Sequence, residues 1–229
     1  MKDFTHKNIN LSASILAANT SRFDQEVKEI ICAGVDSLHI DIMDGRFVPC
    51  TSFATDIVGK IRDYTALDLH VHLMVENPLE YLAALASQGA NLVSFHIEAV
   101  SDASLMIDRI KALGMKVGLA ISPETSVESV KDCLPHLDQV LVMGVRPGFG
   151  GQAFIPATLD KIEAVRDMLP AEGRVDVAVD GGVSYLTAGD IVAKGANVLV
   201  AGTALFSAMD KVGAVEKLLN AARGVQTKC

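Results

Sequence analysis

Eight short runs of β-branched and aliphatic residues alternate along the chain with longer segments that show helical periodicity. The runs are INLSASIL (9–16), SLHIDIM (37–43), LDLHVHLMV (67–75), LVSFHIE (92–98), KVGLAI (116–121), QVLVMGV (139–145), VDVAVDG (175–181) and NVLVAG (197–202). Such alternation predicts βαβ units on a parallel sheet. Three helical segments lead into CAGVDS, SQGANL and AKGANV, so the order of helix, glycine stop and new strand repeats.

These repeated units favour an α/β fold, a TIM (β/α)8 barrel that forms a single domain over residues 1–229. Barrels of this kind routinely occupy about 200–250 residues without dividing into separate domains. The competing fold is a doubly wound open sheet. The number of strands, and the lack of a GxGxxG motif after the first strand, make this alternative less favourable.

Composition excludes several classes of partner. The net charge of -8 argues against a broad nucleic-acid surface, although backbone amides could still bind a small anion. No apolar run approaches the roughly 18 residues that a membrane span needs, so we expect no membrane association. The first ten residues, MKDFTHKNIN, lack the apolar core of a signal peptide, and the four cysteines show no CxxC or zinc-ribbon spacing. We therefore expect a cytoplasmic protein without disulfides.

Polar residues interrupt four of the predicted strands in a regular way. Side chains two residues apart share one face of a strand, and in a barrel one face points into the lumen. The shared faces are His39, Asp41 and Met43; Asp68, His70, His72 and Met74; Ser94, His96 and Glu98; and Asp176, Ala178 and Asp180. Polar side chains are thereby directed toward the carboxyl ends of the strands, where barrel enzymes build their active sites.

Two imidazoles and two carboxylates, from His39, Asp41, His72 and Asp180, form a candidate metal site. A histidine in a strand is usually a hydrogen-bonded core residue, so each of these side chains taken alone carries little weight. Unpaired lumen carboxylates, however, would each cost several kcal/mol, which a cation or a substrate must offset. Mixed nitrogen and oxygen ligands suit Zn²⁺, Mn²⁺, Fe²⁺ or Co²⁺ better than Mg²⁺.

Glycine-rich turns follow the last three predicted strands. They read RPGFGGQAF (146–154), DGGVS (180–184) and AGTALF (201–206). Barrels commonly bind phosphate on the loops after strands seven and eight, through backbone N–H groups that glycine leaves accessible. Gly182, Gly202 and Thr203 are the predicted donors, so we expect a phosphorylated small-molecule substrate.

The chain resembles the ribulose-phosphate 3-epimerase family over essentially its full length. The matching motifs are SIL (14–16), HIDIMDGRFVP (39–49), HLMV (72–75), FHIEA (95–99), VMGVRPGFGGQAFIP (142–156), VDGGV (179–183) and GTALF (202–206). The resemblance implies an isomerase that inverts C3 of a ketose phosphate, converting D-ribulose 5-phosphate to D-xylulose 5-phosphate through a 2,3-enediolate. It also implies one divalent metal ion per subunit and a homo-oligomer.

The resemblance also implies roles for individual residues of this sequence, by their positions in the matching motifs. His39, Asp41, His72 and Asp180 match the metal ligands of the family, and Asp41 and Asp180 also match its acid/base pair. Ser14 and His72 match positions that contact the sugar. The substrate and phosphate loops match at Gly148, Phe149, Gly150, Gly151, Gly181, Gly182, Gly202 and Thr203. Met43, Met74 and Met143 resemble the methionine cover over the reactive centre.

Several positions depart from the family pattern and leave the four ligands unchanged. These are Ala13, Asn19, Cys50, His70, Ser122, Gly144 and Arg146. They bear on the identity of the sugar more than on the reaction class, so a 3-epimerase of D-allulose 6-phosphate remains the main alternative. A non-catalytic sugar-phosphate-binding barrel is the alternative from a different class, against which the intact ligand set argues.

Two other enzyme classes fit the sequence poorly. A decarboxylase of the orotidine-phosphate type places Asp-x-Lys-x-x-Asp on a strand, whereas HIDIMDG offers no lysine. A Schiff-base aldolase needs a lysine at the end of a strand, but Lys116 lies at the start of its predicted strand.

Overall fold

The computed structural model describes residues 9–170 and 175–224, and in these ranges eight parallel strands close into a barrel in chain order. The strands are β1 (Asn10–Ser14), β2 (Ser37–Met43), β3 (Asp68–Met74), β4 (Leu92–His96), β5 (Lys116–Ile121), β6 (Gln139–Met143), β7 (Asp176–Asp180) and β8 (Val198–Ala201). The pairing of β8 with β1 closes the sheet. The predicted TIM barrel is confirmed, while both ends of the predicted domain lie outside the described residues.

Helices cover the outside of the barrel. They are α1 (Phe23–Cys32), α2 (Asp56–Arg62), α3 (Leu82–Ser87), α4 (Ala103–Ala112), α5 (Thr158–Met168), α6 (Ala188–Ala193), α7 (Thr203–Phe206) and α8 (Lys211–Ala222). The connection between β5 and β6 is instead a 3-10 segment, Val127–His136, with Pro135 inside it. Proline lacks the N–H group that a continuous α-helix would need at that point. None of the described helices is long and apolar enough to cross a membrane.

Local sequence accounts for where the helices begin and end. The Asp102 side chain accepts a hydrogen bond from the backbone N–H of Leu105 and so caps the start of α4. Met106 and Ile110 lie one turn apart on α4 and are buried against the barrel. Gly114 follows the helix with a φ of 80°, a conformation that other residues rarely adopt.

Each predicted strand agrees with the observed one to within two residues at either end.

Side chains on the two faces of the barrel sheet pack in two separate regions. Outward residues such as Leu38, Ile40 and Ile42 pack beneath the helices in the main hydrophobic core. Inward residues fill the lumen, where a second apolar cluster is formed by Ala120, Leu141, Met143, Ala178, Val198 and Val200. The remaining lumen positions on β2, β3 and β4 are largely polar. This division confirms the predicted inward and outward faces of the strands.

An arginine clamp joins successive units at the amino ends of the strands. Arg62 of α2 donates from Nη2 to the carbonyl of Gly89 at 3.0 Å and also to Asn91 Oδ1. The same Asn91 oxygen accepts the backbone N–H of Leu69 on β3 at 2.8 Å. The arginine therefore ties its helix to a neighbouring turn and, through Asn91, to a strand.

The second half of the barrel repeats this clamp with Arg166 of α5. Its Nε donates to the carbonyl of Gly195 at 2.8 Å and its Nη2 to Asn197 Oδ1 at 3.1 Å, while Asn197 Oδ1 accepts the N–H of Val177 at 2.8 Å. Gly195 has a φ of 101°, and a Cβ there would lie 2.6 Å from Arg166 Cγ. The repeated GAN triplet of SQGANL and AKGANV thus supplies the glycine and asparagine of each clamp.

We expect Asn197→Ala to lower the free energy of unfolding by about 2–4 kcal/mol. The substitution leaves the buried Arg166 guanidinium and the Val177 N–H without the amide oxygen that both contact. Urea unfolding followed by circular dichroism measures the change. Gln25→Ala, on an exposed face of α1, is the control and should change stability by less than about 0.5 kcal/mol. Equal stability of the two variants would contradict a stabilising role for the clamp.

Candidate active site

The lumen ends of β2, β3 and β7 bring together His39, Asp41, His72 and Asp180. Each residue offers one ligand atom, and these four atoms lie within 4.8 Å of one another. The first three side chains are buried and Asp180 is partly buried. Strand register produces the cluster, because β2 and β3 pair with Asp41 opposite His72. Asp180 reaches the same point from the end of β7.

Asp41 lies at the centre of this cluster. Its Oδ1 is 3.0 Å from His72 Nδ1 and 3.2 Å from His39 Nε2. The hydroxyl of Ser14, at the end of β1, donates to the other carboxylate oxygen at 2.8 Å. Asp180 Oδ2 is 3.7 Å from both of the same histidine nitrogens. The two carboxylates therefore flank the two imidazoles from different strands.

Their environments shift the pKa values of the two carboxyl groups in opposite directions. Burial and the nearby Asp41 charge raise the pKa of Asp180 to about 7. Burial acts on Asp41 in the same direction, but His39 and His72 outweigh it and hold the pKa of Asp41 well below its usual range. Near neutral pH this combination gives one ionised and one readily protonated carboxyl group. Such a separation is typical of acid/base pairs in enzymes.

The residues of this cluster fit a divalent cation. His39 Nε2 is buried and makes no hydrogen bond of acceptable geometry within the described part of the chain, although Asp41 lies beside it. A buried polar atom of this kind needs a partner, and a metal ion would provide one. Burial lowers the pKa of His72 to about 4, which leaves its imidazole neutral and able to bind a metal. The mixed nitrogen and oxygen set suits Zn²⁺, Mn²⁺, Fe²⁺ or Co²⁺ alike.

A cavity of about 690 Å³ opens above the cluster at the carboxyl ends of the strands. Its walls include the predicted residues Ser14, Asp41, Met43, Met74, Met143, Gly148, Phe149, Gly150, Gly151, Asp180, Gly181, Gly182, Gly202 and Thr203. His39 and His72 lie beneath this lining and are buried. The structure thus brings the predicted loop residues to one cavity, with the two carboxylates at its base.

Methionines make the base of the cavity apolar. Met43 and Met74 pack with Val48 in a small buried cluster, against which Cys50 also packs. Met143 approaches from β6, where it is paired with Asp180 of β7. These side chains keep water from the carboxylates, which explains why burial has so large an effect on the pKa of Asp180.

Two features of the site were not found from the sequence. The first is the hydrogen bond from Ser14 to Asp41, which joins strands whose contact no local pattern reveals. The second is His96, whose Nε2 lies 2.9 Å from His72 Nε2. The alternation of Ser94, His96 and Glu98 placed this histidine in the lumen, but it gave no sign of the contact.

Three of the residues that depart from the family pattern lie in different parts of the structure. Arg146 lines the cavity and pairs with Glu124 at 2.5 Å. Gly144 lies where a Cβ would come within 2.3 Å of the Gly181 carbonyl oxygen, so close backbone approach explains its lack of a side chain. His70 lies outside the four-residue cluster, with its Nε2 4.0 Å from Asp68 at the opposite end of β3.

Comparisons with known proteins identify the family of this sequence. The sequence profile of the Ribulose-phosphate 3 epimerase family matches residues 10–206. Ribulose-phosphate 3-epimerase of Bacillus subtilis is 41% identical over 212 residues, covering 92% of this chain and 98% of that protein. The enzyme of the same name from Synechocystis is 40% identical over 220 residues, covering 95% of this chain and 96% of its own.

Solved structures share the fold at low identity. KGPDC from Streptococcus mutans aligns with a TM-score of 0.68 at 14% identity, covering 96% of this chain and all (100%) of that one. Orotidine 5'-phosphate decarboxylase from Pyrococcus horikoshii aligns with a TM-score of 0.67 at 17% identity, covering 93% and 99%. These two likenesses show the barrel alone. From the profile match and the sequence relatives, the chain belongs to the ribulose-phosphate 3-epimerase family and is an isomerase.

Proposed function

We propose that this protein interconverts D-ribulose 5-phosphate and D-xylulose 5-phosphate by inverting C3, with Asp41 and Asp180 as its acid/base pair. The observation that carries the proposal is the position of these two carboxyl groups, which approach one cavity from β2 and β7 with opposite pKa shifts. The names of the sequence relatives support the choice of substrate.

The C3–H bond of a 2-ketose is acidic because the adjacent carbonyl takes up the charge as an enediolate. A divalent ion held by His39, Asp41, His72 and Asp180 would supply Lewis-acid stabilisation of that charge. Inversion requires one group that takes the proton from one face of C3 and another that delivers a proton to the opposite face. Asp41 and Asp180 meet that requirement because they approach the cavity from different strands, and in the reverse direction the two residues exchange roles.

The surrounding residues orient this pair and exclude water. The Ser14 hydroxyl holds one oxygen of Asp41, which leaves the other oxygen directed toward the two histidines. Met43, Met74 and Met143 line the cavity beside the carboxylates and keep bulk water from them.

The phosphate of the substrate is assigned to the glycine turns after β7 and β8. Gly182, Gly202 and Thr203 line the cavity on that side. Gly182 has a φ of 68°, and a Cβ there would lie 2.5 Å from the Phe154 backbone, so the turn tolerates no side chain. Phe149, from the loop after β6, is 56% exposed beside the same cavity and is placed to contact a bound sugar phosphate. The assembly of this chain into a homo-oligomer, which the family resemblance implies, stays a prediction.

We expect Asp41→Asn and Asp180→Asn each to lower kcat by at least ~10³-fold, because each variant removes one of the two groups that move a proton. The measurement is NMR of the C3 proton in D₂O, with Mn²⁺- or Zn²⁺-loaded protein and D-ribulose 5-phosphate. Wild-type protein should introduce deuterium at C3 as the epimer appears. Substantial epimerisation by either variant would refute the two-carboxylate scheme.

Two controls accompany this assay. One tests whether the loss of activity is specific to Asp41 and Asp180, and the other tests which sugar phosphate is the substrate. Asp68→Asn makes the same chemical change at the opposite end of β3, where Asp68 pairs with Lys116, and should retain activity. D-allulose 6-phosphate is assayed in parallel, and a faster initial rate with it would transfer the proposal to that sugar. Binding of sugar phosphate without C3 exchange in metal-loaded protein would favour a non-catalytic binding role.

We expect Asp180→Asn to be more stable than wild type when both proteins are metal-free at pH 8, by about 1–3 kcal/mol. The native pKa of Asp180 is about 7, above its ordinary value of 3.8, so the native state of wild type loses stability as pH rises between these values. Asparagine removes that loss. At pH 4 the advantage of the variant should be small, because Asp180 is then protonated in the native state.

Added Mn²⁺ or Zn²⁺ should reverse this order, because wild type gains about 2.7 kcal/mol at a hundredfold excess over Kd. The variant lacks one carboxylate ligand and gains less. Urea unfolding in EDTA and in excess metal, at both pH values, measures all four cases. An equal response of the two proteins to metal would contradict the assignment of Asp180 as a ligand.

A further inference from the structure

We propose that His96 and Glu98 form a positioning relay that fixes the tautomer and orientation of His72, a ligand of the metal ion in the proposed function. His72 Nε2 lies 2.9 Å from His96 Nε2, and His96 Nδ1 lies 3.0 Å from Glu98 Oε2. Through these two contacts the metal site is linked to the loop that follows β5. The inference concerns residues that the proposed mechanism does not use, and it rests on the proposed function for the presence of a metal.

Burial makes each contact in the relay obligatory. His72 and His96 are both fully buried, with ring centroids 5.0 Å apart and planes inclined by 30°. The ring of Phe47 packs against His96 with centroids 4.9 Å apart. Ring nitrogens enclosed in this way have no access to bulk water, so they must find partners within the protein.

The chemistry of the donors and acceptors then sets the direction of every hydrogen bond. An ionised Glu98 can only accept, so His96 must carry its proton on Nδ1. A neutral His96 therefore accepts at Nε2, and His72 must be the donor from its own Nε2. The Nδ1 atom of His72 is left with a free lone pair that faces Asp41 Oδ1 at 3.0 Å. Two acceptors at that distance repel each other, and a metal ion held by His72 and Asp41 would remove that repulsion.

Glu98 is itself held in place by the loop after β5. Its Oε1 accepts the backbone N–H of Ser122 at 2.8 Å and the hydroxyl of Thr125. Lys161 of α5 donates to the carbonyls of Ser122 at 2.7 Å and Pro123 at 2.8 Å, and to that of Thr125. The ammonium group therefore fixes the turn that presents both donors to Glu98.

The same contacts keep Glu98 ionised. Burial opposes its ionisation, but the hydrogen bonds from His96, Thr125 and Ser122 outweigh burial and lower the pKa of Glu98 to about 2. A carboxylate that orients a metal-binding imidazole is a common arrangement, and loss of such a partner typically weakens metal binding about 10–100-fold. In this chain a second imidazole lies between the carboxylate and the ligand.

His96 and Glu98 act through His72 and have no direct contact with the cavity. The lining of the cavity contains neither residue. A purely structural role would change the stability of the fold but leave the geometry and affinity of the bound metal as they are. Metal affinity and the spectrum of the bound metal therefore separate the two roles, and neither measurement requires a substrate.

The test uses the full chain, stripped of metal by chelation and titrated with Co²⁺, whose visible absorption bands report ligand geometry. Glu98→Gln should weaken Co²⁺ binding by about 10–100-fold and shift the visible bands. Glutamine cannot accept from His96, Ser122 and Thr125 together, because one end of its amide is a donor. Glu128→Gln makes the same change of charge on an exposed residue just beyond the loop, and it should bind Co²⁺ like wild type.

A second variant covers the case in which Glu98→Gln fails to fold. Thr125→Val removes one donor to Glu98 at a partly exposed position, and it should weaken Co²⁺ binding in the same direction by a smaller factor of about 3–10. Binding of Co²⁺ within about twofold of wild type by every folded variant, with unchanged bands, would overturn the relay and leave the proposed function intact. A wild-type protein that binds no Co²⁺ would overturn both.

Discussion

The pairing of β2 with β3 is the constraint on which the site depends. It sets Asp41 opposite His72, and the alternation of side chains along β2 then places His39 beside Asp41 on the same lumen face. A shift of one residue in this register would turn the side chains of one of the two strands toward the helices and so separate His72 from His39 and Asp41. The long outward runs of Leu, Ile and Val prevent such a shift, because it would move them into the polar lumen. Apolar packing outside the barrel thus secures polar chemistry inside it.

The difference between the two carboxylates also follows from position. Asp41 accepts the Ser14 hydroxyl and lies beside two imidazoles, whereas Asp180 faces the negative charge of Asp41 among apolar side chains. Methionine is suited to such a place because it excludes water while adapting its shape to a ligand. The protein therefore gives two chemically identical groups different proton affinities through their neighbours alone.

The barrel and the candidate metal ligands could be predicted from the sequence because both depend on local periodicity. His39 and Asp41 share a face by their spacing, and the strands of a barrel bring their carboxyl ends together whatever the loops do. Contacts such as those of Ser14 with Asp41 and of His96 with His72 join residues 27 and 24 positions apart. These contacts depend on the register between strands and on side-chain rotamers, which no local pattern contains. The opposite pKa shifts were beyond prediction for the same reason.

The two arginine clamps occupy corresponding positions in the two halves of the barrel. Leu69 and Val177 bond equivalent asparagines, and His72 and Asp180 each lie three residues further along their strands. The histidine and the aspartate thus occupy corresponding places in the two halves. Three of the proposed ligands belong to the first half and one to the second, so neither half holds the complete set. Whatever the stability of a half-barrel by itself, the reactive centre exists only where the two halves meet.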